Sequence, residues 1–170
     1  MHPVLIQGTS ALSDFRLKQL TESFSTARSD LGNIRIKAEF VYIVQAKQTL
    51  DETSLSQGYK LLSAEKLFVQ TGGFFVTPRK ATCSPWSSKA TDIFQNCGIK
   101  AIQRVEKGIY YSIRHDENSL LSISELGDEA MLLHDPMTEG IYKDLSDFFD
   151  APEPKSFKII DLLENGIVAL

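Results

Sequence analysis

The sequence predicts an α+β sandwich, a mainly antiparallel sheet with helices on one of its faces. Three observations carry that class. Ile34, Ile36, Ala38, Phe40, Tyr42 and Val44 alternate with Arg35, Lys37 and Glu39 in a long two-sided strand pattern. Three segments with helical apolar spacing, each behind a capping residue, are spread along the chain rather than gathered in one block. Lys100 to Val105 and Ile109 to Ile113 read as two arms of a hairpin. Strands and helices therefore alternate roughly, with hairpins as well as crossovers. A chain of 170 residues is long enough for one domain with a proper core.

Taken in order, Val4 to Gln7 is a short strand ended by Gly8. Ser13 is an N-cap with Asp14 in the favourable first turn, and Leu17, Leu20, Phe24 and Ala27 mark the buried face of a helix ending near Arg28. The strand Ile34 to Val44 follows. Beyond Phe40 its outward positions turn apolar too, at Val41 and Ile43, so that end is expected to be covered on both faces. Asp51 caps a second helix whose stripe is Leu55, Tyr59 and Leu62, with Gly58 an interior cost of about 1 kcal/mol relative to alanine. Leu67 to Gln70 is either a strand turning at Gly72-Gly73 or an ordered loop.

Phe74 to Val76 is a run of β-favouring residues that Thr77-Pro78 ends, since proline donates nothing to a ladder. Arg79 and Lys80 come next, then hydroxyls crowd in at Thr82, Ser84, Ser87 and Ser88. Ser84-Pro85 is a helix start with serine as N-cap and proline at the first helical position; Ser87 or Ser88 is a rival start. Trp86, Ala90, Ile93, Phe94 and Cys97 form the apolar stripe, and Gly98 suits the residue that closes the helix. In the hairpin that follows, Glu106-Lys107-Gly108 is the turn. Glu117 to Leu126 reads as a helix, Met137 to Tyr142 as a strand and Leu145 to Phe149 as a terminal helical turn. Residues 1–150 are the domain, and 151–170 begin a linker region at Ala151-Pro152-Glu153-Pro154-Lys155. The apolar pattern from Ile159 to Val168 stops with nothing to pack on, so Leu170 is not expected to be the natural end.

The start of the third helix is the candidate site. Unpaired N–H groups and the positive end of the dipole attract anions, and Arg79, Thr82, Ser84, Ser87, Ser88 and Lys89 stand beside them. Either these residues meet an anionic substrate, or the hydroxyls cap the helix and the cations are solvated or meet a neighbouring domain. Spacing alone favours the second. No phosphate-loop motif supports the first.

Composition excludes several classes. Apolar residues are 42% and charged residues 24%, the formal net charge is −4, and no apolar run approaches the ~20 residues of a bilayer span. Neither a nucleic-acid nor a membrane footprint is visible. Two cysteines without a pairing pattern point to a reducing compartment, the cytoplasm by default. His2, His115 and His134 lack ligand spacing with one another or with the cysteines, so no metal site is expected. His134-Asp135 reads as a structural hydrogen bond before a proton-transfer pair. Cys83 lies in a polar loop near cations, and Cys97 on a buried stripe.

Several phrases resemble one family. Val76-Thr77-Pro78-Arg79, Ser84-Pro85-Trp86-Ser87-Ser88-Lys89-Ala90-Thr91-Asp92-Ile93 and Asn96-Cys97-Gly98-Ile99 are the most specific. Ala11-Leu12-Ser13, Arg104-Val105-Glu106-Lys107-Gly108-Ile109 and His134-Asp135-Pro136-Met137-Thr138-Glu139 follow in the family's order and at about its spacing. Together they resemble the N-terminal domain of phosphoribosylformylglycinamidine synthase in its long single-chain form, over nearly the whole chain. Ala81 stands where that family usually has glycine, and Cys83 where it usually has an aliphatic residue. A turn needing positive φ at position 81 would be strained by alanine.

The resemblance implies a pseudo-duplicated domain, like a fused pair of the small accessory subunits of the multi-chain enzyme. It implies an ATP-dependent ligase that converts formylglycinamide ribonucleotide to the amidine with glutamine-derived ammonia, in purine biosynthesis. ATP, magnesium and the glutamine thioester would be handled by later synthetase and glutaminase domains. No catalytic, cofactor or metal residue and no cofactor is then expected in this piece, which would be inactive alone and dock those domains against each other. The alternative is a free-standing non-catalytic module that binds a small anion at the same helix start.

Overall fold

The structure, a computed structural model, describes residues 3–115 and 119–150. The expected linker and the apolar pattern from Ile159 to Val168 lie outside the described residues, as does the start of the helix expected at Glu117.

The local signals that set the helices are simple. Ser13, Asp51 and Ser84 are each in extended backbone and accept from an amide in the first turn of the helix that follows. Those helices are α1 (Asp14–Ala27), α2 (Glu52–Leu62) and α3 (Pro85–Asn96). Ser84-Pro85 is thus the start of α3, with proline inside its first turn. The strands are β1 (Val4–Ser10), β2 (Ile34–Ala46), β3 (Lys66–Leu67), β4 (Phe74–Pro78), β5 (Ile102–His115), β6 (Ser119–Leu120) and β7 (Glu139–Tyr142). They form one seven-stranded sheet, ordered β3-β1-β2-β5-β4-β7, with β6 on β5. All of its pairings are antiparallel. The fold is the α+β class the sequence predicts.

Three groups of side chains form the core. On the helix face, Phe24 of α1 packs with Ile34, Ile36, Ala38, Phe74, Tyr111 and Ile113. Further along that face, Leu62 of α2 and Ala90 and Phe94 of α3 pack with Ile6, Tyr42, Val44 and Val105. On the opposite face Val41 and Ile43 meet Phe75, Tyr110, Leu145 and Phe148. The two-sided burial read from β2 beyond Phe40 is therefore present. Gly58, the weak point of α2, faces Phe94 of α3, where an added Cβ would sit in ordinary contact, 3.5 Å from Phe94 Cε1.

Several expectations are corrected. The hairpin is absent: residues 102–115 run as one strand, β5, paired to β2 along its whole length. Gly108 supplies a close approach instead of a turn. A Cβ on it would come 2.5 Å from Thr77 Cγ2 and 2.9 Å from the Val76 carbonyl oxygen. β1 continues through Gly8 to Ser10, because Gly8 leaves room for the Tyr42 and Phe40 side chains. Leu67 to Gln70 contributes only the end of the two-residue β3. In place of the described part of the Glu117–Leu126 helix stand β6 and a 3₁₀ turn at Ile123–Glu125, closed by a Ser122/Glu125 capping box. Leu145 to Phe149 is a pair of tight turns, with Phe148 N–H donating to Leu145 O at 3.1 Å. Cys97 and Ala27 are exposed. The buried line on α3 is Ser87, Ala90 and Phe94, so Ile93 and Cys97 turn outward.

Candidate functional site

The loop from β4 into α3 lies where β4 leaves β5. Their register ends at Val76 opposite Ile109, and β4 continues alongside β7 alone. Beyond that point α3 takes β4's place at the β5 edge. Thr91 Oγ1 accepts the Val105 N–H at 3.1 Å and Ser87 Oγ donates to the Val105 carbonyl at 2.7 Å. Two helix hydroxyls thus satisfy the strand edge that β4 leaves open.

At the head of α3 sits Glu106, wholly buried. Its Oε1 accepts from Ser84 Oγ at 2.6 Å and from Lys107 N–H at 3.0 Å, and its Oε2 from Ser84 N–H and Arg104 Nη2, both at 3.2 Å. Arg104 also donates from Nε to Ser87 Oγ at 3.2 Å and from Nη2 to the Thr82 carbonyl. Its guanidinium lies 5.1 Å from the Phe149 ring centroid. The anion that a helix N-terminus favours is therefore supplied by the protein itself.

The predicted residues divide accordingly. Ser84 and Ser87 face this internal cluster. Arg79 is exposed and donates to the Pro136 carbonyl at 2.6 Å, while its own carbonyl accepts from Thr82 Oγ1 at 2.6 Å. Ser88 Oγ lies 3.4 Å from Cys83 Sγ. Lys89 is exposed beside a mostly apolar groove of about 200 Å³ that Leu61, Trp86, Ile93 and Phe94 also line. Lys80 pairs with Asp147 and lies over the Tyr142 ring, and that hydrogen bond holds the Asp147 carboxyl below its ordinary range. Ala81 has φ of 62°, the left-handed conformation foreseen for a position where glycine is usual.

Glu106 and Arg104 were not singled out by sequence reasoning. The one available signal was a carboxylate and a guanidinium flanking Val105 inside an apolar strand pattern, which the turn assignment hid. His134 Nδ1 lies 2.7 Å from the Ala130 carbonyl, and Asp135 caps its own turn by accepting from Met137 N–H and Thr138 Oγ1. That pair is a structural arrangement. Tyr111 of β5 is buried in the helix-face core, stacked on Phe74, and burial pushes its hydroxyl up to about 12. Among the described residues no group of histidine, cysteine and carboxylates is arranged to hold a metal. Among them, too, no helix is long and apolar enough to cross a membrane.

Fold and site together define an α+β domain in which a helix docks on a strand edge through hydroxyls and an Arg–Glu pair whose carboxylate is buried. A family model described as "Formylglycinamide ribonucleotide amidotransferase N-terminal" matches residues 39–150, well over half of the chain, and the chain belongs to that family. Its role is that of the N-terminal domain of this purine-biosynthesis enzyme, phosphoribosylformylglycinamidine synthase, whose other domains are its partners. The stand-alone anion-binding alternative is not favoured. The match covers the β4–α3 loop, Glu106 and the His134–Glu139 turn.

Proposed function

We propose that this domain is a structural and coupling module of a C–N bond-forming ligase. The whole enzyme converts formylglycinamide ribonucleotide to the amidine with ATP, magnesium and glutamine-derived ammonia. Synthetase and glutaminase domains of the same chain carry the chemistry, and this domain docks them against each other and is inactive alone. The setting is cytoplasmic, without nucleic-acid or membrane partners. The observation that carries this reading is the buried Glu106, which occupies the helix start and makes it architecture.

The exposed side of the same unit, Arg79, Thr82, Ser88 and Lys89, is then the part available to substrate or to an interdomain seam, with Ser84 and Ser87 holding it in place. The pseudo-duplicated origin draws support from the strand order. It reads β2-β1-β3 outward from one side of the centre and β5-β4-β7 from the other, and in chain order each trio has a helix between its first two strands. The test is charge reversal of Arg79 and Lys89 in the full-length enzyme. The expected result is a raised substrate KM or lost coupling of glutamine hydrolysis to amidation. Unchanged KM and unchanged coupling would reject the assignment.

A further inference from the structure

One half-face of the sheet is left bare by the described residues. On the side away from the helices, Leu145, Phe148 and Phe68 cover Val41, Ile43, Phe75 and Tyr110. Toward the other end of the same strands, Arg35 and Lys37 of β2 and Arg114 of β5 are exposed. Register sets Arg35 directly opposite Arg114 and Lys37 opposite Ser112, and strand alternation puts all three cations on that face. Glu39 is the neighbouring carboxylate on β2. It is already engaged by Lys37 Nζ at 3.0 Å and Gln7 Nε2 at 2.9 Å.

Among the described residues, the guanidinium groups of Arg35 and Arg114 have neither a hydrogen-bond nor an ion-pair partner. Like charges placed directly across an antiparallel pair weaken a sheet. The patch also runs against the protein's own balance, which is −4 over the chain. A carboxylate lying between the two guanidinium groups would remove the repulsion and accept paired N–H bonds from both.

We propose that this basic half-face is a docking surface, seated in the full-length enzyme against an acidic surface of another domain of the same chain. The inference rests on the multidomain coupling role above and names the surface through which it is exercised. A nucleic acid fits less well, because the patch is small, carries no interleaved aromatic side chains and belongs to an acidic chain.

The test places a thiol at Lys37, whose side chain is 68% exposed. Lys37→Cys is made in the 170-residue chain and in the full-length enzyme, and alkylation of the peptide carrying residue 37 is followed by mass spectrometry. The expected result is labelling at least tenfold slower in the full enzyme, with the protection lost in an Arg35→Glu/Arg114→Glu background. Equal rates in the two settings would overturn the proposal. So would protection that survives the double reversal, since such a cover is indifferent to charge. Protection of the 170-residue chain by added duplex DNA would move the surface to another class of partner and overturn it as well. The neutral pair Arg35→Thr/Arg114→Thr guards against misfolding: it is expected to unfold no earlier than wild type and still to lose protection. Free labelling of residue 37 alongside a coupling defect in the Arg79/Lys89 variant would sink the docking surface alone; the opposite pattern would sink the coupling role alone.

Discussion

Removing Glu106 tests how α3 is held. Glutamate to alanine deletes the acceptor of four hydrogen bonds, from Ser84 Oγ, Ser84 N–H, Lys107 N–H and Arg104 Nη2, and takes the counter-charge away from Arg104. Breaking one half of a buried charge pair costs ~3–5 kcal/mol. Arg104 keeps its contacts to Ser87 and Thr82, and its side chain is 19% exposed, so water can recover part of that loss. A destabilisation of about 3 kcal/mol follows, near the low end of that range. Glu106→Gln keeps the volume but turns an NH₂ toward the Arg104 and Ser84 donors, for a loss of about 2 kcal/mol. Combined with Ser84→Ala, the pair should show a coupling of roughly 1–2 kcal/mol, because the residues share one network. The assay is urea unfolding of the 170-residue chain by circular dichroism. A parallel readout is the fluorescence of Trp86, the single tryptophan, stacked on Tyr42 at 5.9 Å and so a reporter of α3 docking. A loss below about 1 kcal/mol for Glu106→Ala, or strict additivity with Ser84→Ala, would refute the reasoning.

Three further substitutions probe the backbone and the core by the same assay. Ala81→Gly relieves a left-handed alanine and should raise stability by ~0.5–1 kcal/mol, the strain saved less the entropy gained by the unfolded chain. Tyr110→Phe removes a buried hydroxyl with no partner among the described residues and should be stabilising by about 1 kcal/mol; a loss of that size would show that the hydroxyl is satisfied. Gly108→Ala drives a methyl into Thr77 and the Val76 carbonyl, and should cost roughly 2–3 kcal/mol by overpacking. If Gly108 were a turn residue at the surface instead, alanine there would change stability little.

What the sequence revealed and what it hid divide along local and non-local lines. Ser13, Asp51 and Ser84 announce their helices because a cap and its amide partners lie within three residues of each other. The two-sided burial of β2 is written in its own alternation. Gly108 misled because glycine serves both a turn and a close approach, and the neighbour that requires it, Thr77, is on another strand. Glu106 closes the head of α3 from 22 residues away, across a strand pairing that no local pattern encodes. The hydroxyls of the candidate site were visible as a group. Which of them turn inward depends on where β4 leaves β5, and that is set by the sheet as a whole.

The central claim is that Glu106 already fills the anion site at the start of α3. The most direct test is an amide-resolved NMR titration of the 170-residue chain with inorganic phosphate and with a ribonucleoside monophosphate. No saturable shift is expected at the amides of Ser84 to Ser87. Saturable, phosphate-dependent shifts there, abolished by Ser84→Ala, would contradict the claim.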